Sequence, residues 1–443
     1  MSYPRLLERL FAARRAGVQL GLERMAGCLA SLGHPERGFV ARVQIGGTNG
    51  KGSTAAFAAS MARAAGRRVG LYTSPHLCSL RERFLVDGAL PGEEEVVAAA
   101  AAVAAAGGDA LTFFEQTSAI AARLFADAGV EVALFEVGLG GRFDATTAIP
   151  CEVAAVTGVA LDHQEWLGSS LPEIAAEKGA IFAIQAGRPE VASRGGLRIV
   201  VGSSGEPDGT ALLVAAARAA RPVALTIVDA AAIAALPSSW PLGLAGAHQR
   251  ANAAAALAIV DHLEARGVLA ITPAQRRDGL AAVRHPGRFE TVAARPRVIL
   301  DGAHNPHGAG ALAAALGILA ERPRVVVLAV SADKDAAGIA RALAPACEGV
   351  IATRYQQARS LAPALLAAAV GAAAPGLPVV IAAELGLAMA QARAQAGPDG
   401  VIVVCGSLFL VGEAHALLCG TPVDPVLLSD PIAPESVVPS PGQ

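Results

Sequence analysis

The sequence predicts an α/β protein with two domains, an N-terminal doubly wound domain and a smaller C-terminal Rossmann-like domain. The first observation is a strand, a glycine-rich loop and a helix that follow one another between residues 39 and 66. The second is the alternation of short apolar runs with helical runs, which is typical of parallel sheets. The third is a Pro-Gly break at residues 286–287, after which the alternation resumes. We therefore expect domains at residues 1–290 and 291–430.

Composition and charge exclude several classes of function. The chain has 443 residues, with 36 Lys and Arg against 38 Asp and Glu, for a formal net charge of −2. Because these charges are interspersed, the sequence favours neither nucleic acid nor another long polyanion as a partner. Apolar runs fall short of the ~20 residues that a membrane span requires, and the N-terminus lacks a signal-peptide pattern. We expect a cytoplasmic protein whose six scattered cysteines are reduced and mostly buried.

The glycine-rich loop GGTNGKGS is the main functional signal. Its backbone amides, the dipole of the following helix and the charge of Lys51 would bind phosphate groups, and the Ser53 hydroxyl would reach a magnesium ion. The spacing departs from the usual GxxxxGK[ST] pattern, since Gly52 stands between Lys51 and Ser53. A turn without a ligand is the alternative, but such a turn has no need of the lysine. The loop therefore favours a nucleoside triphosphate site.

Two further strands are predicted to end in polar side chains. The strand at residues 69–72 runs into Ser74 and His76, which are candidates for the site or parts of a turn without a role. The apolar run at residues 130–137 carries Glu136, and a buried carboxylate is costly unless a positive charge meets it. A helix cap or a salt bridge is the alternative for this glutamate. In P-loop enzymes a carboxylate at this place holds magnesium, which we expect here.

The next turn and strand add polar residues at the same edge of the predicted sheet. Arg142 and Asp144 lie in the glycine-rich turn GLGGRFDATT, and Asp162 and His163 follow the strand at residues 151–157. A neutral imidazole there would ligate a second magnesium ion or orient a phosphate group. A lone histidine is more often structural, so only its position makes His163 a candidate.

Several other residues have two interpretations. Thr112 and Phe114, at the start of a predicted helix, either line a pocket or belong to the core. Lys178, taken alone, is most simply a solvent-exposed helix lysine. Asn252, near the start of its helix, either contacts a base edge or caps the helix.

The remaining segments carry weaker signals. The region from residue 202 to Trp240 is predicted to be β-rich and peripheral. In the second domain, Asp301, His304 and Ser407 follow predicted strands, but no GxGxxG motif supports a dinucleotide site. The Pro- and Ser-rich tail at residues 431–443 is predicted to be disordered.

A series of motifs runs along nearly the whole chain: GTNGKGS, TSPHL, LTFFE, FEVGLGGRFDAT, LDHQEWLG, AEKGAI, GAHQRANAAAAL, HPGRFE, DGAHNPHG, SADKD and GSLFL. In composition and in order they resemble the folylpolyglutamate synthase and dihydrofolate synthase family, within the Mur ligase superfamily. One such motif would be a weak signal, whereas so long a series in the family's order is specific.

The resemblance implies roles for individual residues. ATP would be bound by the loop and by residues around the domain junction, namely Gly47, Thr48, Asn49, Gly50, Lys51, Gly52, Ser53, Asn252, Arg288, Asp301 and His304. Two magnesium ions would be held by Ser53, Ser74, Glu136 and His163. The pterin would lie near Thr112, Phe114, Arg142, Asp144 and Ala145, and glutamate near Ser407. Lys178 matches a lysine that is carbamylated in the family and would join Lys51, Glu136 and His163 as a catalytic residue.

Two departures from the family pattern stand out. The turn reads DATT where DATN is expected, which leaves the contact made by Thr147 in question. FLVDG stands where many members have an Asn-Gly pair. Neither departure touches the residues implied for the metal or the phosphates.

The resemblance implies an ATP-dependent ligase. ATP would phosphorylate the carboxylate of a dihydropteroate or folyl substrate, and the amine of L-glutamate would then attack the acyl phosphate to form an amide. It also implies a monomer that acts on small molecules. The alternatives are another Mur-type amino-acid ligase and, from a different class, a P-loop ATPase that acts as a switch without ligation.

Overall fold

The computed structural model of the protein describes residues 1–14 and 21–425, so the tail predicted to be disordered lies outside the described residues. Two sheets organise the described part of the chain, one built from strands between residues 41 and 227 and the other from strands between residues 290 and 405. Among the described residues, no helix combines the length and the apolar character needed to cross a membrane.

The first sheet has seven strands within the described ranges. They are β1 (Ala41–Gly46), β2 (Val69–Tyr72), β3 (Phe84–Val86), β4 (Val132–Glu136), β5 (Val153–Val156), β6 (Arg198–Val201) and β7 (Ala224–Ile227). Their order is β3-β2-β4-β1-β5-β6-β7, and every neighbouring pair is parallel except β2 and β3. The strand that precedes the glycine-rich loop therefore lies at the centre of a doubly wound sheet, as predicted.

Helices cover both faces of this sheet. In chain order they are α1 (Tyr3–Arg14), α2 (Glu23–Ser31), α3 (Lys51–Ala64), α4 (Glu93–Ala105), α5 (Phe113–Asp127), α6 (Gln164–Leu167), α7 (Leu171–Ala186), α8 (Pro189–Ser193), α9 (Pro207–Ala219), α10 (Ala230–Ala235), α11 (His248–Ala265) and α12 (Pro273–Ala282). Alternate residues of β4 face two different cores: Leu134 packs with α3 and α11, and Phe135 packs with α5. Because both faces are buried, the strand has the continuous apolar sequence that predicted it.

The region before Trp240 differs from the prediction. It was expected to be β-rich, but it holds the helices α9 and α10 and only one strand, β7. Pro207 stands at the start of α9, where the missing N–H of proline costs nothing. The expected peripheral position is correct, since β7 is the edge strand of the sheet.

The second sheet has six strands in the part of the chain that the structure describes. The elements are β8 (Glu290–Ala294), β9 (Arg297–Leu300), α13 (Pro306–Gly317), β10 (Arg324–Leu328), α14 (Ala336–Leu343), β11 (Gly349–Ala352), α15 (Pro363–Ala373), β12 (Val379–Ile381), α16 (Leu385–Ala396), β13 (Val401–Cys405) and α17 (Leu408–Cys419). The order is β12-β11-β10-β13-β9-β8, with only β8 antiparallel to its neighbour. The sequence analysis missed β8, because this partly exposed edge strand lacks an apolar run.

Candidate active site

A cavity of about 1690 Å³ lies where the carboxyl ends of β1, β4 and β5 face the second sheet. Its lining includes Lys51 and Glu136 from the first sheet and Asp301 and Ser407 from the second. Open α/β sheets bind their ligands at this edge, where the strands end and the loops begin. Most of the residues predicted from strand ends, though not His76, therefore converge on one cavity.

The loop after β1 has a backbone that requires glycine at two positions. Gly47 and Gly50 adopt φ angles of 137° and 82°, which other residues rarely adopt. A Cβ atom on Gly47 would also overlap the hydroxyl of Thr157, and one on Gly50 would overlap the amide of Asn252. The loop is thus held tightly between neighbouring elements, and α3 begins immediately after it at Lys51.

The side chain of Lys51 folds back over the loop. Its Nζ donates to the carbonyl oxygens of Gly47 and Thr48 at 3.1 and 3.2 Å. Burial lowers the pKa of Lys51, although the carboxylates of Glu136 and Asp162 oppose that shift. The amine therefore lies at the loop and the first turn of α3, where phosphate groups would be bound.

The extra glycine of the loop motif has a steric reason. A Cβ atom on Gly52 would lie 2.6 Å from Nε2 of His285 and 3.4 Å from Oε2 of Glu136. The sequence analysis did not select His285 as a site residue, although it singled out the HPGRFE motif that contains it. The structure places this histidine against the first turn of the helix that follows the loop.

Oxygen donors from three elements lie at the cavity beside the loop. Ser53 in the first turn of α3, Ser74 after β2 and Glu136 at the end of β4 are all buried and line the cavity. The backbone N–H of Ser74 donates to Oε2 of Glu136 at 3.0 Å. Within the described residues no group of three or more His, Cys, Asp or Glu side chains could hold a metal ion. The donor set fits magnesium, which takes few protein ligands and completes its shell with phosphates and water.

His76, an open candidate from the TSPHL motif, has a structural role. Its Nδ1 accepts a hydrogen bond from Nε of Arg83 at 2.9 Å, and the residue does not line the cavity. Burial, together with the charge of Arg83, lowers the pKa of His76 well below its usual value. The turn interpretation is therefore correct for this residue.

Lys178 is buried, so the solvent-exposed interpretation is wrong. Its side chain is 4% exposed, and its Nζ donates to the carbonyl oxygen of Gly47 at 3.2 Å. Burial and the neighbouring charge of Lys51 lower the pKa of Lys178 to about 7. The burial of Lys178 could not be predicted from the sequence of the alanine-rich helix α7, since its apolar residues do not form one clear stripe.

Asp162 joins the two halves of the cavity. Its carboxylate accepts from Nδ2 of Asn305 at 2.9 Å and from Nζ of Lys334 at 2.5 Å, and Nε2 of His304 lies 3.5 Å away. Burial alone would raise the pKa of Asp162, but the hydrogen bond from His304 and the charge of Lys334 lower it well below its usual value. The ionised carboxylate thus holds three side chains of the second domain.

Lys334 was missed as a site residue, although a signal for it exists in the composition. The chain uses arginine for most of its positive charges and contains only three lysines, Lys51, Lys178 and Lys334. All three lie in or against the walls of the cavity. The sequence analysis noted Lys334 only as part of the SADKD motif.

His163 lies beside Asp162 at the start of α6. Its Nε2 is 3.9 Å from Oδ2 of Asp162, and its side chain is 37% exposed to the cavity. Desolvation lowers the pKa of His163 to about 3, so the ring is neutral at neutral pH. A neutral imidazole is the form that can ligate a metal ion.

One end of the cavity offers polar groups suited to a base and a ribose. Asn252 bonds Gln249 and Ser204 at 2.9 and 2.8 Å and lies against Gly50 of the loop. Nearby, Nδ1 of His248 and Oγ of Ser203 are buried with no hydrogen-bond partner among the described residues. Both residues line the cavity, and the sequence analysis identified neither.

Asp301 organises the junction between the two sheets. Its carboxylate oxygens accept the backbone N–H groups of Phe289 and Ala303 at 2.8 and 2.9 Å. Burial raises the pKa of Asp301, while the guanidinium of Arg288 opposes the shift. Arg288 and His304, which the resemblance assigned to the nucleotide, also line the cavity.

The opposite wall contains the residues implied for the pterin, with one exception. Thr112, Phe114, Asp144 and Ala145 line the cavity, and the carboxylate of Asp144 accepts three backbone N–H groups that shape the turn. Arg142 is the exception: it is not in the lining, and its Nε donates to Oε1 of Glu177 at 2.8 Å.

Thr147, the departure in the DATT turn, is fully buried away from the cavity. Its hydroxyl donates to the carbonyl oxygen of Gly141 and accepts from Nε2 of Gln44, both at 2.7 Å. The threonine therefore stabilises the turn from the side that faces away from the cavity.

Comparison with known proteins identifies relatives of the chain. The family described as "Mur ligase, glutamate ligase domain" matches residues 287–408. A probable bifunctional folylpolyglutamate synthase/dihydropteroate synthase of Halobacterium salinarum is 36% identical over 94% of this chain and 51% of its own length. The present chain thus spans about half the length of that relative. A dihydrofolate synthase/folylpolyglutamate synthase of Mycobacterium tuberculosis is 34% identical over 79% of this chain and 77% of the relative.

Solved structures share the architecture along nearly their whole length. Escherichia coli FolC in complex with DHPP and ADP matches with a TM-score of 0.82 and 31% identity, over 95% of this chain and 98% of that protein. The bifunctional folylpolyglutamate synthase/dihydrofolate synthase of Yersinia pestis with Mn, AMPPNP and L-glutamate bound matches with a TM-score of 0.76 and 30% identity, over 91% and 95%.

Proposed function

The chain belongs to the folylpolyglutamate synthase/dihydrofolate synthase family of Mur ligases, and from that premise we propose that it is an ATP-dependent ligase that acts on folates. It joins the amine of L-glutamate to the carboxylate of dihydropteroate or of a folyl glutamate through an acyl phosphate. One observation carries the proposal: a single cavity combines the phosphate loop, the buried Glu136 and side chains from both sheets. That arrangement can hold three substrates together and exclude water from the acyl phosphate.

At the nucleotide end, the loop from Gly47 to Ser53 binds the ATP phosphates, and Lys51 neutralises part of their charge. Asn252 contacts the adenine, while Arg288, Asp301 and His304 contact ribose and phosphate. The unpartnered groups of His248 and Ser203 support this placement, since a buried polar atom requires a partner that a nucleotide would supply.

Ser53, Ser74, Glu136 and His163 would hold two magnesium ions. Bound there, magnesium would neutralise the phosphate groups and the attacking carboxylate. Manganese in the Yersinia pestis structure supports a divalent ion in this family. In the present chain Glu136 orients the backbone at Ser74, so the two residues form one ligand surface.

Lys178 is carbamylated in the active enzyme. The neutral amine attacks carbon dioxide, a C–N bond forms, and one proton leaves to solvent, which gives a carbamate anion. The lowered pKa and the complete burial of the amine support this proposal, since carbamylation requires an unprotonated amine at neutral pH.

The acceptor substrates occupy the other end of the cavity. The pterin lies against Thr112, Phe114, Asp144 and Ala145, and glutamate lies near Ser407. Arg142 reaches the pterin only if it leaves Glu177, since the two side chains are paired.

The proposed domains remain residues 1–290 and 291–430, and a monomeric state and a cytoplasmic location stay predictions from the sequence.

Parallel assays with dihydropteroate and with tetrahydrofolate test the function, each with ATP, magnesium and L-glutamate. We expect phosphate release that requires both the pteroate-type acid and glutamate, together with a product one glutamate longer. Phosphate release with neither substrate would instead identify a switch ATPase. Activity with a different amino acid or acid would identify another Mur-type ligase.

A further inference from the structure

Residues 73–83, which follow β2, reach from the cavity to the second domain, and we call them the bridging loop. At one end, the N–H of Ser74 donates to Oε2 of Glu136 at 3.0 Å. Further along, Leu77 packs against the apolar core formed by α17 and the second sheet. The same loop therefore contacts the carboxylate proposed for the metal and the helix whose N-cap lines the cavity.

The bridging loop and α17 are in direct backbone contact. A Cβ atom on Gly412 would lie 2.5 Å from the carbonyl oxygen of Leu77, so no side chain can stand between the helix and the loop. The thiol of Cys78 donates to the carbonyl oxygen of Gly412 at 3.4 Å. A shift of α17 must therefore move the loop, because close-packed elements transmit displacements.

Hydrogen bonds within the bridging loop also restrain its conformation. Both carboxylate oxygens of Glu82 are used, and they accept the backbone N–H groups of Leu77, Cys78 and Ser79 at 2.8, 3.0 and 2.9 Å. Three successive amides on one carboxylate hold the turn rigid. Residues 77–82 of the loop thus form one hydrogen-bonded unit.

The segment after α17 then returns to the first domain and forms hydrogen bonds with this loop. The carboxylate of Asp424 accepts from Leu80 N at 2.7 Å, from Ser79 Oγ at 3.1 Å and from Tyr3 OH at 3.0 Å. Its own N–H donates to the carbonyl oxygen of Cys78 at 2.9 Å. One residue of the second domain's chain is therefore bound to two separate segments of the first domain.

We propose that Asp424 is a positioning residue for the ligase reaction. It holds the bridging loop against α17, so that Ser74 stays on Glu136 while Ser407 stays at the cavity. This positioning role rests on the proposed function, because only a reaction that needs both domains depends on this alignment. The phosphate loop does not contact Asp424, so nucleotide affinity in the absence of magnesium is independent of it, whereas glutamate use is not.

Asp424→Asn in the full chain tests the proposal, with Asp399→Asn as the matched control. Asparagine keeps the shape but loses one acceptor oxygen and the charge that three donors share. Asp399 lies in the same domain, and its side chain is 76% exposed in a surface ion pair with Arg295. Its substitution removes the same charge without touching the bridging loop.

We expect Asp424→Asn to lower kcat/KM for L-glutamate about tenfold, while the Kd for a non-hydrolysable ATP analogue, measured without magnesium, changes less than about twofold. Tyr3→Phe, which removes one of the three donors, is expected to give a smaller loss in the same direction. Glutamate kinetics of Asp424→Asn equal to those of Asp399→Asn would overturn the proposal. So would an equal loss of ATP affinity, since that would indicate general destabilisation.

Hydrogen exchange separates this inference from the proposed function. We expect the amides of residues 73–83 to exchange faster in Asp424→Asn than in the Asp399→Asn control, whatever reaction the enzyme catalyses. Unchanged exchange would overturn the positioning role, even in an active ligase. A wild-type protein without glutamate-dependent turnover would instead contradict the proposed function.

Discussion

The imidazole of His285 fills the space beside Gly52 in which a side chain would begin. A Cβ atom on Gly52 would lie 2.6 Å from Nε2 of His285, closer than real Cβ contacts allow. Gly52 belongs to the first turn of α3, and His285 belongs to the segment that leads to the second sheet. The extra glycine of the loop motif therefore lets the domain junction pack against the start of the phosphate-binding helix.

Substitution Gly52→Ala should weaken ATP binding. Alanine is favoured over glycine within a helix by about 1 kcal/mol, so in open space it would stabilise α3. Here the methyl group forces His285 or the helix start to move, and we expect the Kd for an ATP analogue to rise about tenfold, measured by calorimetry.

Two further variants isolate the steric cause. Gly27→Ala is the control, since a Cβ atom at this helical glycine meets nothing within 4 Å. It should leave the affinity unchanged. His285→Ala combined with Gly52→Ala should recover most of the loss, and an additive double variant would show that the two residues do not act through contact.

Carbamylation of Lys178 should increase with pH across neutrality. The folded-state pKa is about 7, so the amine is mostly protonated at pH 6 and mostly neutral at pH 8, whereas an ordinary lysine with a pKa of about 10.4 stays protonated throughout. A carbamate signal in ¹³C NMR with labelled bicarbonate should therefore grow between these pH values. The spectrum is simple because the chain has only three lysines.

Lys178→Met should remove that signal, while Lys334→Met should keep it. The Nζ of Lys334 is held by the carboxylate of Asp162 at 2.5 Å, so it is not free to attack carbon dioxide. A signal that survives in Lys178→Met would assign the modification to another amine. No signal at pH 8 in saturating bicarbonate would contradict carbamylation.

The sequence predicted the parts of the site that local pattern determines. The end of a buried strand is visible as the end of an apolar run, so Glu136 and the phosphate loop were located before the structure was known. Thr147 shows the limit of such reasoning. Its place in the DATT motif suggested a contact in the cavity. Only the tertiary structure shows that its hydroxyl donates to the carbonyl oxygen of Gly141, away from the cavity.

Contacts between distant segments were not predictable from local pattern. Asp162 and Lys334 are 172 positions apart, and nothing in either neighbourhood indicates their pairing. Lys178 lies in an alanine-rich helix that is buried on several sides, so periodicity gave no sign that its side chain points inward. The strand β8 was missed because an exposed edge strand needs no apolar run.

The pair of Asp162 and Lys334 should stabilise the protein substantially. Both side chains are at least nine-tenths buried, so Asp162→Asn would leave a buried ammonium group with only the more distant carboxylate of Asp333, at 4.0 Å, as a counter-charge. We expect a loss of about 3 kcal/mol in the free energy of unfolding, measured by urea titration. Asp399→Asn is the control, since its exposed surface bridge to Arg295 should contribute less than about 1 kcal/mol. Equal losses for the two variants would contradict a special role of the buried pair.

Glu136→Gln should abolish ligation while leaving the fold intact. The amide oxygen of glutamine can still accept the N–H of Ser74, so the loop keeps its anchor, but the charge that would meet a magnesium ion is lost. We expect kcat to fall by about 10²–10³ in saturating magnesium, with an unfolding midpoint close to that of the wild type. Glu177→Gln is the control, because this glutamate also lines the cavity but is paired with Arg142 at its rim, so it should retain most of its turnover. Normal turnover by Glu136→Gln would show that Glu136 is not a magnesium ligand. Another carboxylate would then have to hold the ion beside the phosphate loop.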